Sequence, residues 1–395
     1  MRRAMTNISF FKQILNIIPP SIIQKAVQIH GSDSYSKGLT TYVQMLSMIF
    51  CQLSKSNSLR EIEYGMQSTL GDWNHLGIKS IIPKRTNLAY NNQMREHVVF
   101  RDIYLGLLKH YQMTGELSRQ KFKEINKKIY ILDSSMITLS LKLFDWAIYQ
   151  VTKGAIKLHT MLDYDGCMPS YLFIRPGKHS DVSFAQNLIL PKNSVIMIDR
   201  GYQDFDLFNQ WNSQSVTFVT RLKETVRHQK VRELQLNKQD SPNILVDEII
   251  SLTGEDSSKN YPGELRRLVI YDEKNNDLVE ILTNNFSWTA ETISELYRAR
   301  WSIEIFFRYI KQNLKIKSFL GRSENAVFTQ IWTALITFLL LTILKNRSKY
   351  KWHLSNLIHF IRLNLFNKFD LYEWLDNPIR KYSKKVDSDI LLFPV

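Results

Sequence analysis

Four residues of this 395-residue chain share a spacing that chemistry can use: Tyr297, Arg300, Glu304 and Lys311. On a helix of about 3.6 residues per turn they fall within about 60° of one another. Leu296, Ile303, Phe307, Ile310 and Leu314 form an adjoining apolar stripe. Such a helix buries one face and presents a phenol, a guanidinium, a carboxylate and an ammonium beside it. Alone, the row reads equally well as an exposed helix with Arg300–Glu304 and Glu304–Arg308 ion pairs, each worth roughly 0.3 kcal/mol. Two aspartates alter that balance. Asp133 and Asp199 each end a short apolar run, Ile129–Leu132 and Ser194–Ile198, that reads as a strand. An aspartate in that place is commonly a turn former. If the two strands are neighbours, both carboxylates enter one crevice, and Glu304 makes a third. Converging carboxylates repel and raise one another's pKa unless divalent cations neutralise them. All-oxygen ligation suits Mg²⁺ or Mn²⁺ over zinc. Two such ions activate a water or a 3′ hydroxyl and stabilise the leaving oxygen of a phosphodiester.

The elements that must position these groups follow from periodicity. Apolar residues recur at helical spacing over Ile22–Val27, Tyr42–Leu53 and Val98–Leu108, so residues 1–115 read as a helical domain, and as a DNA-binding one on the first of the two readings that follow. Within it, a helix beginning near Ser56–Glu63 and a second from Lys84 to Glu96 have two readings, a helix-turn-helix or a helical packing unit with solvated charge. From Lys128 strands take over: Ile129–Leu132, Ile156–Leu162, Tyr171–Ile174, Ser194–Ile198 and Val216–Leu222, with helices over Asp181–Leu190 and Asp204–Trp211. That order predicts a mixed α/β core over 125–344. Residues 223–285 read as a β-rich insertion, and one long helix is expected from Thr289 to about Leu314, capped by Ser287 or Thr289. A helical C-terminal region follows over 345–395.

Composition narrows the partner. The formal net charge of +15 favours a polyanion, and nucleic acid is the commonest one. Two distant cysteines, Cys51 and Cys167, supply neither a zinc knuckle nor a disulfide framework and fit a reducing cytoplasm. The apolar stretch Ala326–Leu344 is long enough to span a bilayer but carries Gln330 and four threonines. It is expected to be a buried core helix, with no membrane partner.

The spacing Y-x2-R-x3-E-x6-K at Tyr297, Arg300, Glu304 and Lys311 resembles the signature of bacterial insertion-sequence transposases of the DDE class, IS-four branch. Ile131-Leu132-Asp133-Ser134-Ser135 and Ile198-Asp199-Arg200-Gly201-Tyr202 are similar to that family's two aspartate blocks. The resemblance implies a ribonuclease-H-like core with a β insertion ahead of the glutamate helix, and metal-dependent cut-and-paste movement. In that chemistry water frees the 3′ end of the element and the hydroxyl then attacks the opposite strand to give a hairpin. It also implies that Asp133, Asp199 and Glu304 hold two Mg²⁺ or Mn²⁺ ions and that Tyr297, Arg300, Lys311 and Arg200 contact phosphates. Double-stranded DNA, as terminal inverted repeats and target, would be the partner, with a dimer in the synaptic complex and a bacterial cytoplasmic or nucleoid location. One departure stands out. Relatives keep a base-stacking tryptophan where this chain has Val279, and Trp288 reads as packing at a helix start. The alternatives are a related nuclease, or a non-catalytic DNA-binding regulator, which would have no need of all three carboxylates. His159, Lys153 and Lys157 read as structural or as part of a solvated or DNA-facing surface.

Overall fold

A computed structural model describes residues 5–36, 38–68, 74–78, 83–117, 122, 124–150, 153–177, 180–236 and 242–378. The first part contains α1 (Phe10–Leu15), α2 (Pro20–His30), α3 (Thr41–Ser54), α4 (Leu59–Gln67), α5 (Arg85–Met94) and α6 (Val98–Met113). Capping chemistry sets several of the starts. Thr40 accepts from the Val43 N–H before α3, and Ser58 accepts from the Glu61 N–H before α4, satisfying donors that a first turn leaves open. The two short helices are not joined as a helix-turn-helix. Residues 68–84 separate α4 from α5, whereas that motif turns in about 3–4 residues. Ile62 and Met66 of α4 and Leu88 of α5 are instead drawn into the main core.

The strands are β1 (Ile129–Leu139), β2 (Ile148–Gln150), β3 (Lys153–Asp163), β4 (Met168–Pro176), β5 (Val195–Ile198) and β6 (Thr217–Arg221), with α7 (Asp181–Gln186) before β5 and α8 (Phe205–Ser213) after it. β1 pairs antiparallel with β3 and parallel with β5; β4 flanks β3, and β6 runs parallel to β5. The order β4-β3-β1-β5-β6 is that of a ribonuclease-H-like core. At the β3–β4 turn Gly166 has φ +113°, and a Cβ there would meet the Leu117 carbonyl oxygen at 2.6 Å, so only glycine fits.

The inserted segment brings β7 (His228–Glu233), β8 (Ile244–Leu252), α9 (Glu255–Asn260), β9 (Leu265–Asp272) and β10 (Asp277–Thr283). It does not form a sheet of its own. β10 pairs antiparallel with β6, Leu282 opposite Thr220, so the sheet continues through β10, β9, β8 and β7.

Alternation along the central strands sends side chains to both faces. Ile131, Met197 and Val219 enter the large core shared with the helices, while Leu132, Ile196, Ile198 and Phe218 enter a second core with Phe208 and Trp211 of α8. The large core is covered by α10 (Ala290–Ala299), α11 (Ser302–Asn313), α12 (Glu324–Arg347), α13 (Leu354–Asn364) and α14 (Leu371–Asp376). The long helix expected from Thr289 is thus two. Thr289 caps α10 by accepting from the Thr292 N–H. At Arg300 and Trp301 the backbone bonds tighten, Arg300 N–H to the Tyr297 carbonyl and Trp301 N–H to the Arg298 carbonyl. Both residues stay in the right-handed helical region, so the i,i+4 relation of Arg300 to Glu304 survives. The apolar stretch from Ala326 is α12, whose most apolar window is 94% buried. Its Thr333, Thr337 and Thr342 hydroxyls donate to carbonyls one turn back. Residues 379–395 of the expected C-terminal region lie outside the described residues.

One buried titratable group gives a pH prediction. His97 packs edge-on against Phe328 at 4.9 Å, and burial, aided by Arg101, pushes its pKa down to about 4. In the unfolded chain a histidine titrates near about 6.5. Between these values the unfolded state binds more protons, so stability is present above about pH 6.5 and falls as pH drops toward 4. Discounted for the partial exposure of the ring, the loss is of order 1–2 kcal/mol. Thermal melts from pH 7 to 4 are expected to show it, and His97→Gln to flatten that part of the curve; an unchanged slope in the variant would refute the assignment.

Candidate active site

Strand register aims the two aspartates alike. Leu132 lies opposite Ile198 in the parallel β1–β5 pair, so the next residues in line are Asp133 and Asp199. Each follows the alternation of Ile131 and Met197, which face the helices, and Asp199 keeps an extended backbone at φ −79°, ψ 160°. Asp133 differs from expectation in one respect. It does not end β1, which runs on to Leu139 because it stays paired with β3 after β5 has turned away. Asp133 therefore stands where the parallel partner departs and a crevice opens.

Arg300 lies across that crevice. Its Nη2 is 2.8 Å from Glu304 Oε1 and its Nη1 is 3.9 Å from Asp133 Oδ2. Burial works against the Arg300 charge, but Glu304, Tyr297, Asp199 and Asp133 outweigh it and hold its pKa above the ordinary value. Asp133 feels the reverse. Burial chiefly, with Glu304 and Asp199 adding to it, pushes its carboxyl up to about 6 against the opposing Ser134 N–H and Arg300. Asp133, Asp199 and Glu304 thus share one electrostatic neighbourhood around a single guanidinium. Tyr297 packs beside it, its ring 5.7 Å from the Arg300 guanidinium carbon. Lys311 donates to the Met136 carbonyl at 2.9 Å, three residues along β1 from Asp133. Arg200 is exposed on the short turn Arg200–Tyr202 and makes no ion pair among the described residues.

The donor set suits a hard divalent cation. Glu304 Oε2 and Arg300 Nε are buried without a hydrogen-bond partner, and a buried carboxylate oxygen with unspent lone pairs is costly unless something fills it. Among the described residues no three His, Cys, Asp or Glu side chains already stand in ligand geometry. Arg300 instead lies between two of these carboxylates, 2.8 Å from Glu304 and 3.9 Å from Asp133. Carboxylate oxygens are the donors a hard divalent cation takes.

The fold gives several supporting residues a partner that the sequence does not show. Tyr202, in the second aspartate block, is buried, and its hydroxyl lies 3.3 Å from Asp181 Oδ1. Lys157 pairs with the same carboxylate at 2.7 Å, and His159 stacks on Phe184 at 4.4 Å. These groups brace the turn that carries Asp199; Lys157 is a strut rather than a solvated cation. The Lys153 side chain lies outside the described residues. Beside the carboxylates, a cleft of about 720 Å³ opens between β9–β10 and α10, lined by Tyr271, Val279, Tyr297, Arg300 and Trp301. Val279 is one of its walls. Trp288 is packed against the core with its carbonyl held by Arg266.

The family model described as "Transposase DDE domain" matches residues 124–340. The chain belongs to the DDE transposase family. It is a DNA transposase, an enzyme that cleaves and joins DNA strands, and this family works with divalent metal. A second model, a domain of unknown function (DUF4372), matches residues 6–79. The Sinorhizobium fredii chain bearing the transposase name y4zB is 30% identical over 291 residues, 73% of this chain and 79% of that one. A transposase named for insertion sequence element IS5377 of Geobacillus stearothermophilus is 28% identical over 239 residues, 60% and 62% of the two chains. Among solved structures, the piggyBac transposase in a synaptic complex with hairpin DNA matches 100% of this chain and 89% of its own, at 10% identity and a TM-score of 0.46.

Proposed function

We propose that Asp133, Asp199 and Glu304 are the metal-holding catalytic carboxylates of this transposase, and that Tyr297, Arg300, Lys311 and Arg200 receive the phosphates of the DNA being cut. The observation that carries this reading is Arg300 shared between Glu304 and Asp133, beside a buried Glu304 oxygen that has no partner. Two Mg²⁺ or Mn²⁺ ions held there would supply Lewis-acid activation of a water or 3′ hydroxyl and stabilise the leaving oxygen. The protein's own groups do the rest. Asp133 and Asp199 are fixed by strand register, and Glu304 by the helix that α12 backs. Arg300 would exchange its carboxylate partners for a phosphate, a charge-assisted bidentate contact that suits a guanidinium. Tyr297 and Lys311 flank it and hold the backbone in line for attack. Residues 1–115 would grip the terminal inverted repeat outside the cleavage point, 125–344 would catalyse, with 223–285 as the insertion, and 345–395 would complete the helical support. Synapsis of two ends calls for a dimer on DNA. An extruded base would find the exposed faces of Tyr271 and Trp301 in the cleft, since Trp288 is packed.

The test uses the full chain and duplexes carrying the inverted repeats that flank its gene. Nicking at the element's 3′ end and strand-transfer products are expected with Mg²⁺ or Mn²⁺ and none with chelator. Cleavage without joining would identify a nuclease. Binding without cleavage in either metal would identify a regulator.

A further inference from the structure

A set of cations that no carboxylate neutralises extends from the catalytic helix to the helical first part. Lys315 Nζ donates to Asn57 Oδ1 at 2.5 Å, and Lys55 Nζ donates to the Gln312 carbonyl at 2.8 Å. These bonds draw the turn between α3 and α4 against the end of α11. Arg60 and Arg85 stand exposed on the next wall, where with Asn57, Thr86 and Phe319 they line an open cleft of about 520 Å³. Lys317 leads back along the same segment to Lys311, whose charge is opposed first by burial and then by Lys317. Lys55 is likewise opposed by Arg362 and Lys315, after the larger effect of its burial. Among the described residues none of Lys55, Arg60, Arg85, Lys311, Lys315, Lys317 or Arg362 makes an ion pair. The two carboxylates on α4 bond backbone groups rather than these cations, Glu61 accepting from the Asn57 N–H and Glu63 from the Arg85 N–H; they keep their charge, and the seven cations outnumber them.

The segment is built rather than loose. Buried Gln330 donates to the Lys315 and Ser318 carbonyls and accepts from the Leu320 N–H, while buried Gln52 accepts from the Lys315 N–H. Holding like charges together on a fixed backbone is unfavourable unless a polyanion binds them. A row of side-chain cations on fixed backbone, none of them ion-paired among the described residues, matches the sugar-phosphate edge of a duplex.

We propose that Lys317, Lys315 and Lys55, continuing to Arg60 and Arg85, form a track for the phosphate backbone of duplex DNA running from the cleavage site to the α4–α5 wall. The proposal rests on the transposase reading and adds the path that the DNA takes. Arg60→Gln, Arg85→Gln and Lys317→Gln together test it, because these exposed side chains make no hydrogen bond among the described residues and their loss leaves the fold intact. The measurement is the salt dependence of binding of the full chain to an end-bearing duplex of about 40 base pairs. Each phosphate contact contributes about 0.9 to the slope of log K against log salt. The triple variant is expected to lose about 2–3 from that slope and at least about tenfold in affinity at 0.15 M salt. A control with Lys192, Lys259 and Lys349 changed to Gln removes the same charge elsewhere and should bind as the parent does. A triple variant with the parental slope, or a control that loses as much, overturns the track. A parental chain with no salt-dependent duplex binding would instead remove the transposase reading beneath it.

Discussion

Glu304→Gln is expected to lower strand cleavage by on the order of a thousandfold or more while leaving duplex binding within a few-fold of the parent. The substitution keeps the side chain's size and its place on α11 and removes only its charge. In the present structure that charge holds Arg300 at 2.8 Å, and its second oxygen is buried without a partner. Changes in the groups that merely orient a metal's ligands cost about 10–100-fold; loss of a ligand itself should cost more, because both ion binding and transition-state charge stabilisation fall with it. Asp133→Asn should behave alike, since the two carboxylates share Arg300. Calorimetric titration of Mn²⁺ into the DNA-free protein supplies a readout independent of turnover, and each variant should bind the ion much more weakly. A Gln variant that still cuts within tenfold of the parent would sink the assignment of Glu304 as a ligand.

The parts of this arrangement that were legible in the sequence are those that local physics dictates. Apolar runs before Asp133 and Asp199 marked β1 and β5, and the stripe from Leu296 to Leu314 marked the helical segment that carries Glu304. Gln330 and the threonines identified α12 as a core helix, and the structure buries it. What was hidden depends on partners distant in sequence. The apolar run Ile129–Leu132 ends at Asp133, yet β1 continues because β3 is beside it from Asp133 to Leu139. The tightening at Arg300 and Trp301 has no proline or glycine to announce it. The insertion reads as a separate β unit, because nothing in its composition says that β10 will pair with β6. Of the two readings of α4 and α5, the structure favours the packing unit, because Ile62, Met66 and Leu88 are drawn into a core whose other members lie far away in sequence. Arg300 was expected beside Glu304 from spacing alone; its second partner, Asp133, follows only from the fold.

Asp247→Ala is expected to destabilise the protein by about 3–5 kcal/mol, the cost of breaking a buried ion pair and leaving one charge behind. Asp247 and Arg266 meet in two parallel hydrogen bonds, Nε to Oδ1 at 2.8 Å and Nη2 to Oδ2 at 2.6 Å, with side chains only 3% and 4% exposed. The remaining Arg266 nitrogen, Nη1, donates to the Trp288 carbonyl at 2.6 Å. The guanidinium therefore ties β8 and β9 to the segment entering α10, whose far end carries Tyr297 and Arg300. The neighbouring Arg267, shared by Glu248 and Glu280, is more exposed, and Glu280 on its outer side is 36% exposed, so Glu280→Ala should cost less than about 1 kcal/mol. Chemical denaturation of the parent, both single variants and a doubly apolar Asp247→Leu, Arg266→Met variant separates the terms. The double variant should recover most of the stability, because it abandons no charge in the core. Its cleavage rate should nevertheless stay low, since the bond from Arg266 to the Trp288 carbonyl has gone and α10 no longer has that anchor. If cleavage returned to the parental rate along with stability, the insertion would be a packing element with no part in placing Tyr297 and Arg300.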